Sequence, residues 1–398
     1  MTPSNRRLLI FLFIFFFGFM LVRYIQRVPK RNYCDFRVYY HTAQNFLAGK
    51  EIYNRDSQAI TTFRYSPFFA FVFSPLGLLP IKGAAAVFFL INFWATLVLF
   101  RMIRKFVVEE PLSDREGFIL YFLSAVFAFR LILLNWDSGQ VVIVMAMLVI
   151  SSLYCLRQGK DMGAGALLSA AILIKYTPAI FIPYLIFRKK YKAAIWTLVF
   201  LGVWLLLPAL CVGIRNNFAY LSSWIPSIIR DSLDNFSYYD FNNYSIFSIV
   251  LRFIRGLGQM NIVDLSFRFS MWIAYVVVAA FYLLALVPKK GKDVFKIDCA
   301  LLFIFMPFFN PNAWLLNYVT LIFPYYLLVY YFIKSKYRDN FVLVCLILSF
   351  VFLYLFSRGL IGELKHFGAQ ISEGTIAALF LMGALVKLKF SKEHKWIN

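Results

Sequence analysis

Long uncharged hydrophobic runs are the feature that most constrains this chain. The first runs from Leu8 to Val22 without a charged residue, and similar runs recur to the end of the sequence. About twenty apolar residues in a helix span a bilayer, and only helices or closed barrels satisfy every backbone hydrogen bond there. The sequence therefore predicts an all-α fold, a polytopic membrane bundle of helices.

The charge pattern supports the same class. Lys and Arg number 41 against 19 Asp and Glu, a formal net charge of +22, and the cations form short clusters between the hydrophobic runs. Such clusters set orientation and contact anionic membrane lipids, so no nucleic-acid partner is predicted. Arg6 and Arg7 precede the first run, which predicts a cytoplasmic N-terminus. The repeated hydrophobic runs predict a multi-pass protein, which we expect in the inner or plasma membrane.

Hydropathy and basic clusters together predict about twelve crossings, with both termini inside. The expected crossings are 8–22, 81–99, 117–134, 141–156, 163–187 (counted as two), 193–214, 269–287, 297–309, 314–333, 341–356 and 374–389.

One of these segments has two interpretations. Basic clusters flank 163–187 on both sides, so it is either two short helices that enter and return, or a single span that breaks the charge rule. Pro178 disfavours helix at Thr177, which is where the two short helices would meet.

We expect one domain over residues 1–398, with two external loops at 28–80 and 215–268. Phe68 to Leu79 is too short to cross the bilayer, which predicts an interfacial or re-entrant helix beside a cavity. Interfacial helices are also predicted from His41 to Ala48, ending at Gly49, and from Ile246 to Ile254.

The first external loop carries the most unusual chemistry, a carboxylate among tyrosines. Asp35 is our candidate catalytic base, and the tyrosines expected to contact a sugar are Tyr39, Tyr40, Tyr53 and Tyr65. Other interpretations stay open: Asp35 as a solvated carboxylate or a partner of Arg37, and the tyrosines as an interfacial aromatic belt.

Cations and polar residues elsewhere suggest a phosphate-binding role. Arg64, Arg130 and Lys175 are the candidates for a departing phosphate, with Lys175 alternatively snorkelling or bonded to a backbone carbonyl. Asp137 and Gln140, in the turn after the third span, are further candidate substrate-binding residues, with Asp137 alternatively ending the helix turn or capping Gln140.

No metal or cofactor is predicted. His41, His366 and His394 are too far apart in sequence to suggest a metal triad, and the five cysteines have no CxxC spacing. Convergence of Asp35 and Asp137 would reopen a divalent-ion role.

Asp and Glu fall almost entirely in the loops, so no proton-relay carboxylate is expected at mid-membrane. This absence disfavours an ion-coupled transporter. A flippase for lipid-linked glycans and a non-catalytic envelope scaffold remain as alternatives to an enzyme.

Short motifs occur in a recognisable order along most of the chain. They are Asp35-Phe36-x-Val38-Tyr39, Phe63-x-Tyr65-x-Pro67, Pro75-Leu76-x-x-Leu79-Pro80, Gly139-Gln140, Lys175-x-x-Pro178, Asn243-x-Ser245 and Asn310-Pro311-x-x-Trp314 leading to Tyr318. This order resembles glycosyltransferase family eighty-seven, the polyprenyl-phosphate-mannose-dependent mannosyltransferases of the GT-C superfamily.

The resemblance implies a GT-C fold and an inverting transfer with Asp35 as base. The implied donor is a polyprenyl-phosphate-linked hexose, usually mannose, and the implied acceptor is an envelope glycan or glycolipid on the outer face. Asn243, Trp314 and Asn317 join the candidate binding residues. The family often has histidine shortly after Pro-x-x-Trp, whereas Leu315, Leu316 and Asn317 stand here, so that histidine's role is not carried over.

Overall fold

The computed structural model describes residues 16–27, 35–53, 63–232, 240, 242–259, 267–289, 291, 293–355 and 372–391. This part of the chain is helical, without a β-strand, which confirms the all-α prediction. The helices are α1 (16–27), α2 (Asp35–Leu47), α3 (Pro67–Gly77), α4 (Ile81–Val107), α5 (Asp114–Ser138), α6 (Val142–Arg157), α7 (Asp161–Ile174), α8 (Phe181–Phe187), α9 (Tyr191–Leu206), α10 (Ala209–Ser232), α11 (Ile246–Gln259), α12 (Phe267–Leu286), α13 (Val294–Phe308), α14 (Ile322–Lys334), α15 (Asn340–Leu355) and α16 (Glu373–Phe390). Two 3₁₀ segments, Thr177–Ile180 and Leu315–Leu321, precede α8 and α14.

Four helices in the described residues are long and apolar enough to cross a membrane: α4, α5, α12 and Leu315–Lys334. The pair α9 and α10 adds a fifth if the two form one bent span. These helices confirm a membrane protein. The count of about twelve crossings stays a prediction, because five further apolar helices have only 10–17 residues.

The segment predicted to span the membrane from 193 to 214 is bent. Helix α9 ends at Leu206, and α10 leaves it at 98°. Pro208 stands at the bend, where a residue without an N–H cannot continue the hydrogen-bond ladder. Gly213 then adopts a left-handed conformation (φ 80°), which kinks α10 near its start.

The helical run across 163–187 is broken where the two-helix interpretation placed the junction. Lys175 is extended (φ −155°, ψ 126°) and ends α7, and the chain resumes helix at Thr177. Helix α7 packs closely on α9 through Gly165, where an added Cβ would lie 2.6 Å from the Trp196 backbone. Small residues allow such close approach between membrane helices.

Helix α2 begins at Asp35, six residues before the predicted start at His41, and it ends before Gly49, which is left-handed (φ 65°). The earlier start places Asp35 in the first helical turn. Helix α3 packs against α2 at Gly77, where an added Cβ would lie 3.1 Å from the Ala43 Cβ. The two short helices therefore form one unit in the first loop.

Aromatic packing fixes α2 and α3 on α4. The Tyr39 ring meets the edges or faces of Phe69, Phe73 and Phe88 at centroid distances of 4.9, 5.5 and 6.2 Å. Phe36, also on α2, is fully buried and packs on Phe88. Edge-to-face pairs of this kind add to the stabilisation from burial, so the position of Asp35 is set by a packed aromatic cluster.

Two carboxylates are buried within the helical bundle, each near the end of a helix. Asp298 on α13 is fully buried, and Glu373 at the start of α16 is 1% exposed. Each is paired with a cation: Asp298 with Lys389 and Arg188, and Glu373 with Arg130. Pairing makes burial of these charges tolerable.

Several predicted features lie outside the described residues, and one predicted helix is longer than expected. The N-terminal Arg6 and Arg7, His366 and the tail from 392 lie outside the described residues, as do parts of the loops 28–80 and 215–268. The predicted helix from Ile246 to Ile254 is confirmed and continues to Gln259 as α11.

Candidate active site

A cavity of about 260 Å³ lies where five segments of the chain meet. These segments are the first loop, the turn between α5 and α6, the end of α7, α10, and the stretch that leads into the second 3₁₀ segment. The cavity is lined by Asp35, Val38, Arg64, Tyr65, Ser66, Gln140, Ile172, Leu173, Ile174, Lys175, Tyr176, Trp224, Ile228, Asn310, Pro311, Asn312, Trp314, Leu316 and Asn317. Seven predicted site residues are among them: Asp35, Arg64, Tyr65, Gln140, Lys175, Trp314 and Asn317.

Asp35 reaches the cavity from the first turn of α2. Burial raises the pKa of its carboxyl from 3.8 to about 6, while the charges of Lys175 and Arg64 act in the opposite direction. The N-terminal end of a helix also favours a negative charge. Asp35 is therefore mostly ionised at neutral pH, and its proton affinity is higher than that of a solvated aspartate.

Lys175 reaches the same cavity because α7 ends there. Its ammonium donates to the Asn317 carbonyl oxygen, which joins the α7 break to the second 3₁₀ segment. Ser66 ties the first loop to the same place: its hydroxyl donates to the Leu173 carbonyl (2.5 Å) and accepts from the Phe69 N–H (3.3 Å) as the N-cap of α3.

Two of the four predicted tyrosines surround Gln140. The Tyr39 and Tyr65 hydroxyls donate to Gln140 Oε1 at 2.6 and 3.1 Å, and the two hydroxyl oxygens lie 2.6 Å apart. Burial raises the pKa of Tyr65, so it remains a protonated donor. Tyr65 lines the cavity, whereas Tyr39 lies behind it and supports Gln140.

The other two tyrosines do not line the cavity. The Tyr40 hydroxyl donates to the Leu79 carbonyl (2.8 Å), and the Tyr53 hydroxyl donates to the Tyr65 carbonyl (2.9 Å). Both are buried. Each hydroxyl is used in holding the loop together, so the structure gives these residues a supporting position instead of the predicted sugar contact.

Gln140 is positioned by the glycine before it. Gly139 caps α5 in a left-handed conformation (φ 62°), and an added Cβ would lie 2.4 Å from Tyr24 Oη and 2.7 Å from Phe36 Cβ. Only glycine fits both the dihedral angles and the space. The Gly139-Gln140 pair therefore lets the end of α5 approach α2.

Asn243 lies outside the cavity lining and holds one of its walls. Its amide NH₂ donates to the Pro311 carbonyl (2.9 Å), and its Oδ1 accepts from the N–H groups of Ser245 (3.0 Å) and Ala313 (3.2 Å). Tyr318 donates to the Tyr244 carbonyl at 2.6 Å. The two late motifs thus interlock and shape the Asn310–Trp314 wall.

Two predicted binding residues are engaged elsewhere. Arg130 pairs with Glu373 at 2.7 Å, and Asp137 pairs with Arg23 at 3.0 Å. Neither lines the cavity. Both were predicted because they lie near the expected external end of a span. The partners that neutralise them come from distant parts of the chain.

Sequence reasoning missed several lining residues. Tyr176 and Asn310 bond each other (Tyr176 hydroxyl to Asn310 Oδ1, 2.9 Å), and Asn312 and Trp224 also line the cavity. Tyr176 adjoins Lys175, and Asn310 opens a quoted motif, so both carried a signal. Trp224 carried none, because the bend that brings α10 over the cavity was not foreseen.

A search of the described residues finds no group of three or more His, Cys, Asp and Glu side chains that could hold a metal ion. Asp137 is paired with Arg23 and is not among the lining residues of the cavity.

Comparison with known proteins places this chain in a family. The sequence model of Glycosyltransferase family 87 matches residues 63–311, more than half of the chain. A relative from Mycolicibacterium smegmatis, named polyprenol-phosphate-mannose-dependent alpha-(1-2)-phosphatidylinositol mannoside mannosyltransferase, is 26% identical over 295 residues, which are 70% of this chain and 62% of the relative. The chain thus spans less than two thirds of that protein's length, and Asp35 precedes the family match. The match and the membrane helices confirm the resemblance drawn from the motifs: this chain is a membrane protein that belongs to glycosyltransferase family 87.

Proposed function

We propose that this protein transfers a mannosyl residue from a polyprenyl-phosphate-mannose donor to a glycan or glycolipid of the cell envelope. The observation that carries the proposal is one cavity lined by Asp35 together with Arg64 and Lys175. Family membership supplies glycosyl transfer, and the name of the mycobacterial relative supplies the donor class.

In the proposed reaction Asp35 accepts the proton of the acceptor hydroxyl as that oxygen attacks the anomeric carbon. The bond from this carbon to the phosphate oxygen breaks on the opposite face, so the configuration inverts. The electron pair leaves with the polyprenyl phosphate, whose negative charge Arg64 and Lys175 stabilise. Arginine and lysine both bind phosphate oxygens, and they do so most strongly where water is scarce.

We further propose that residues 1–398 act as one integral-membrane unit in the inner or plasma membrane, with the termini in the cytoplasm. Loops 28–80 and 215–268 would both lie on the external face. Their joint contribution supports this arrangement: Asp35 and Arg64 come from the first loop, and Trp224 and Ile228 from the second.

The test is transfer from a labelled polyprenyl-phosphate-mannose by Asp35→Asn in membranes, at protein levels equal to wild type. A general base contributes roughly 10²–10⁴-fold, so we expect a loss of that size. Asp137→Asn is the matched control, because Asp137 is ion-paired outside the cavity lining. Wild-type turnover by Asp35→Asn would reject Asp35 as the base.

A further inference from the structure

All four amide side chains in the cavity lining have their carbonyl oxygen occupied by a protein donor. They are Gln140, Asn310, Asn312 and Asn317. An amide whose oxygen is used by the protein can offer only its NH₂ group to a ligand. The orientation of these four groups therefore determines what the cavity can bind.

The Gln140 orientation is fixed by a backbone group. Its Oε1 accepts from the Val141 N–H at 2.9 Å, in addition to the Tyr39 and Tyr65 hydroxyls. A backbone N–H only donates, so the reversed amide would place two donors against each other. The NH₂ group of Gln140 is consequently the end directed away from these three donors.

Donor-only groups fix the remaining three amides in the same way. Asn310 Oδ1 accepts from the Asn312 N–H (3.2 Å), and Asn312 Oδ1 accepts from the Trp314 indole N–H (3.1 Å). Asn317 Oδ1 accepts from the Lys175 ammonium. No described residue accepts a hydrogen bond from the NH₂ group of any of the four.

Three of these amides are well buried: Gln140 is 3% exposed, and Asn310 and Asn317 are each 6% exposed. None of these three NH₂ nitrogens is fully enclosed without a partner, so each of them remains accessible although its residue is buried. All three side chains line the cavity, so a ligand in it can supply the acceptors.

The chemistry of the lining selects the ligand group. Arg64 and Lys175 also only donate, and Asp35 is the one carboxylate among the described residues that line the cavity. A sugar hydroxyl both donates and accepts, whereas the free oxygens of a phosphate ester only accept. Building on the proposed function, we infer that the NH₂ groups of Gln140, Asn310 and Asn317 bind the phosphate of the lipid-linked donor and of the released prenyl phosphate.

The inference is tested by binding, without any transfer step. The protein in lipid nanodiscs is titrated with a short-chain prenyl phosphate, with the matching prenol and with the mannosyl prenyl phosphate, and Trp224 and Trp314 in the lining provide a fluorescence signal. Gln140→Glu and Asn317→Asp keep the accepting oxygen and replace the NH₂ donors with a second oxygen. Gln44→Glu makes the same charge change at an exposed site outside the lining.

Loss of a charge-assisted hydrogen bond corresponds to about tenfold or more in affinity. We therefore expect the prenyl phosphate to bind at least about tenfold more weakly to each cavity variant, with prenol binding unchanged. Gln44→Glu should match wild type in all three titrations.

Unchanged prenyl phosphate affinity in both cavity variants would overturn the inference. So would weakening confined to the mannosyl form, since the amides would then contact the sugar. The two substitutions lie on different segments, so either one that retains the wild-type melting temperature decides the question. Loss of transfer in Asp35→Asn with normal phosphate binding in the amide variants would keep the proposed function and reject this inference alone.

Discussion

Two aspartates, the fully buried Asp298 and the half-buried Asp35, have different surroundings in one molecule. Asp298 accepts from the Tyr184 hydroxyl at 3.0 Å, lies 2.8 Å from the Lys389 ammonium and contacts Arg188. Asp35 is half-buried and lines a cavity together with Arg64 and Lys175, and no described side chain is hydrogen-bonded to its carboxylate. Asp298 holds helices together, whereas the proposed function gives Asp35 a role toward a ligand.

The Asp298 cluster joins four helices. Arg188 follows α8, Asp298 is on α13, and Lys389 on α16 also donates to the carbonyls of Leu284 (2.7 Å) and Ala285 (3.1 Å) on α12. The Lys389 ammonium thus has two carbonyl acceptors in addition to its ion pair with Asp298. A buried ion pair is costly to break from one side.

The largest expected effect is on folding, at the paired aspartate. Asp298→Asn removes the negative charge between the buried Lys389 and the partly exposed Arg188, and breaking a buried pair costs about 3–5 kcal/mol. We expect little folded protein by fluorescence-detected size-exclusion chromatography after mild heating. Asp339→Asn, which loses a more exposed pair with Lys387, should cost about 0–1 kcal/mol. Equal melting temperatures for the two variants would remove the structural role given to Asp298.

Asp35→Asn should change the stability of the fold in the opposite direction to Asp298→Asn. The pKa of Asp35 is about 6 in the folded protein against 3.8 ordinarily, so the unfolded chain loses this proton first and stability falls as pH rises from about 4 to about 6. At pH 7.5 Asp35→Asn should therefore raise the melting temperature. The gain in the free energy of unfolding has an upper bound of about 3 kcal/mol. A lower melting temperature would mean that the Asp35 carboxylate stabilises the fold.

The same pKa predicts the pH dependence of transfer. A base must be unprotonated, so kcat/KM should be flat above pH 6 and fall about tenfold per unit below it. Initial rates between pH 4.5 and 8 with labelled donor measure the profile. Constant kcat/KM down to pH 5 would separate Asp35 from the proton transfer.

A smaller effect on kcat/KM is expected from Tyr39, which supports Gln140 from behind the cavity. Tyr39→Phe removes one of three donors to Gln140 Oε1 and the contact with the Tyr65 hydroxyl, which corresponds to about 1 kcal/mol or roughly fivefold in kcat/KM. Tyr325→Phe loses a comparable buried hydroxyl contact with Ser349 (2.5 Å), away from the cavity. Similar activity losses in both variants would indicate a general packing defect.

How far the sequence predicted the site depends on the kind of residue. Asp35, Arg64, Lys175 and Gln140 were found because charged and amide groups stand out among apolar residues in quoted motifs. Arg130 stood out for the same reason, yet it does not line the cavity: a conspicuous charge does not reveal its partner, and Glu373 lies 243 residues away.

The sequence alone determined the membrane-helical class, the family and the pieces of chain that carry polar chemistry, because hydropathy and motif order are local properties. Only the tertiary structure decided which charges stay unpaired, that Asn243 supports a wall, and that α10 bends over the cavity. Those outcomes depend on contacts between distant segments: a break at Lys175, a bend at Pro208 and the close approach at Gly139 bring them together.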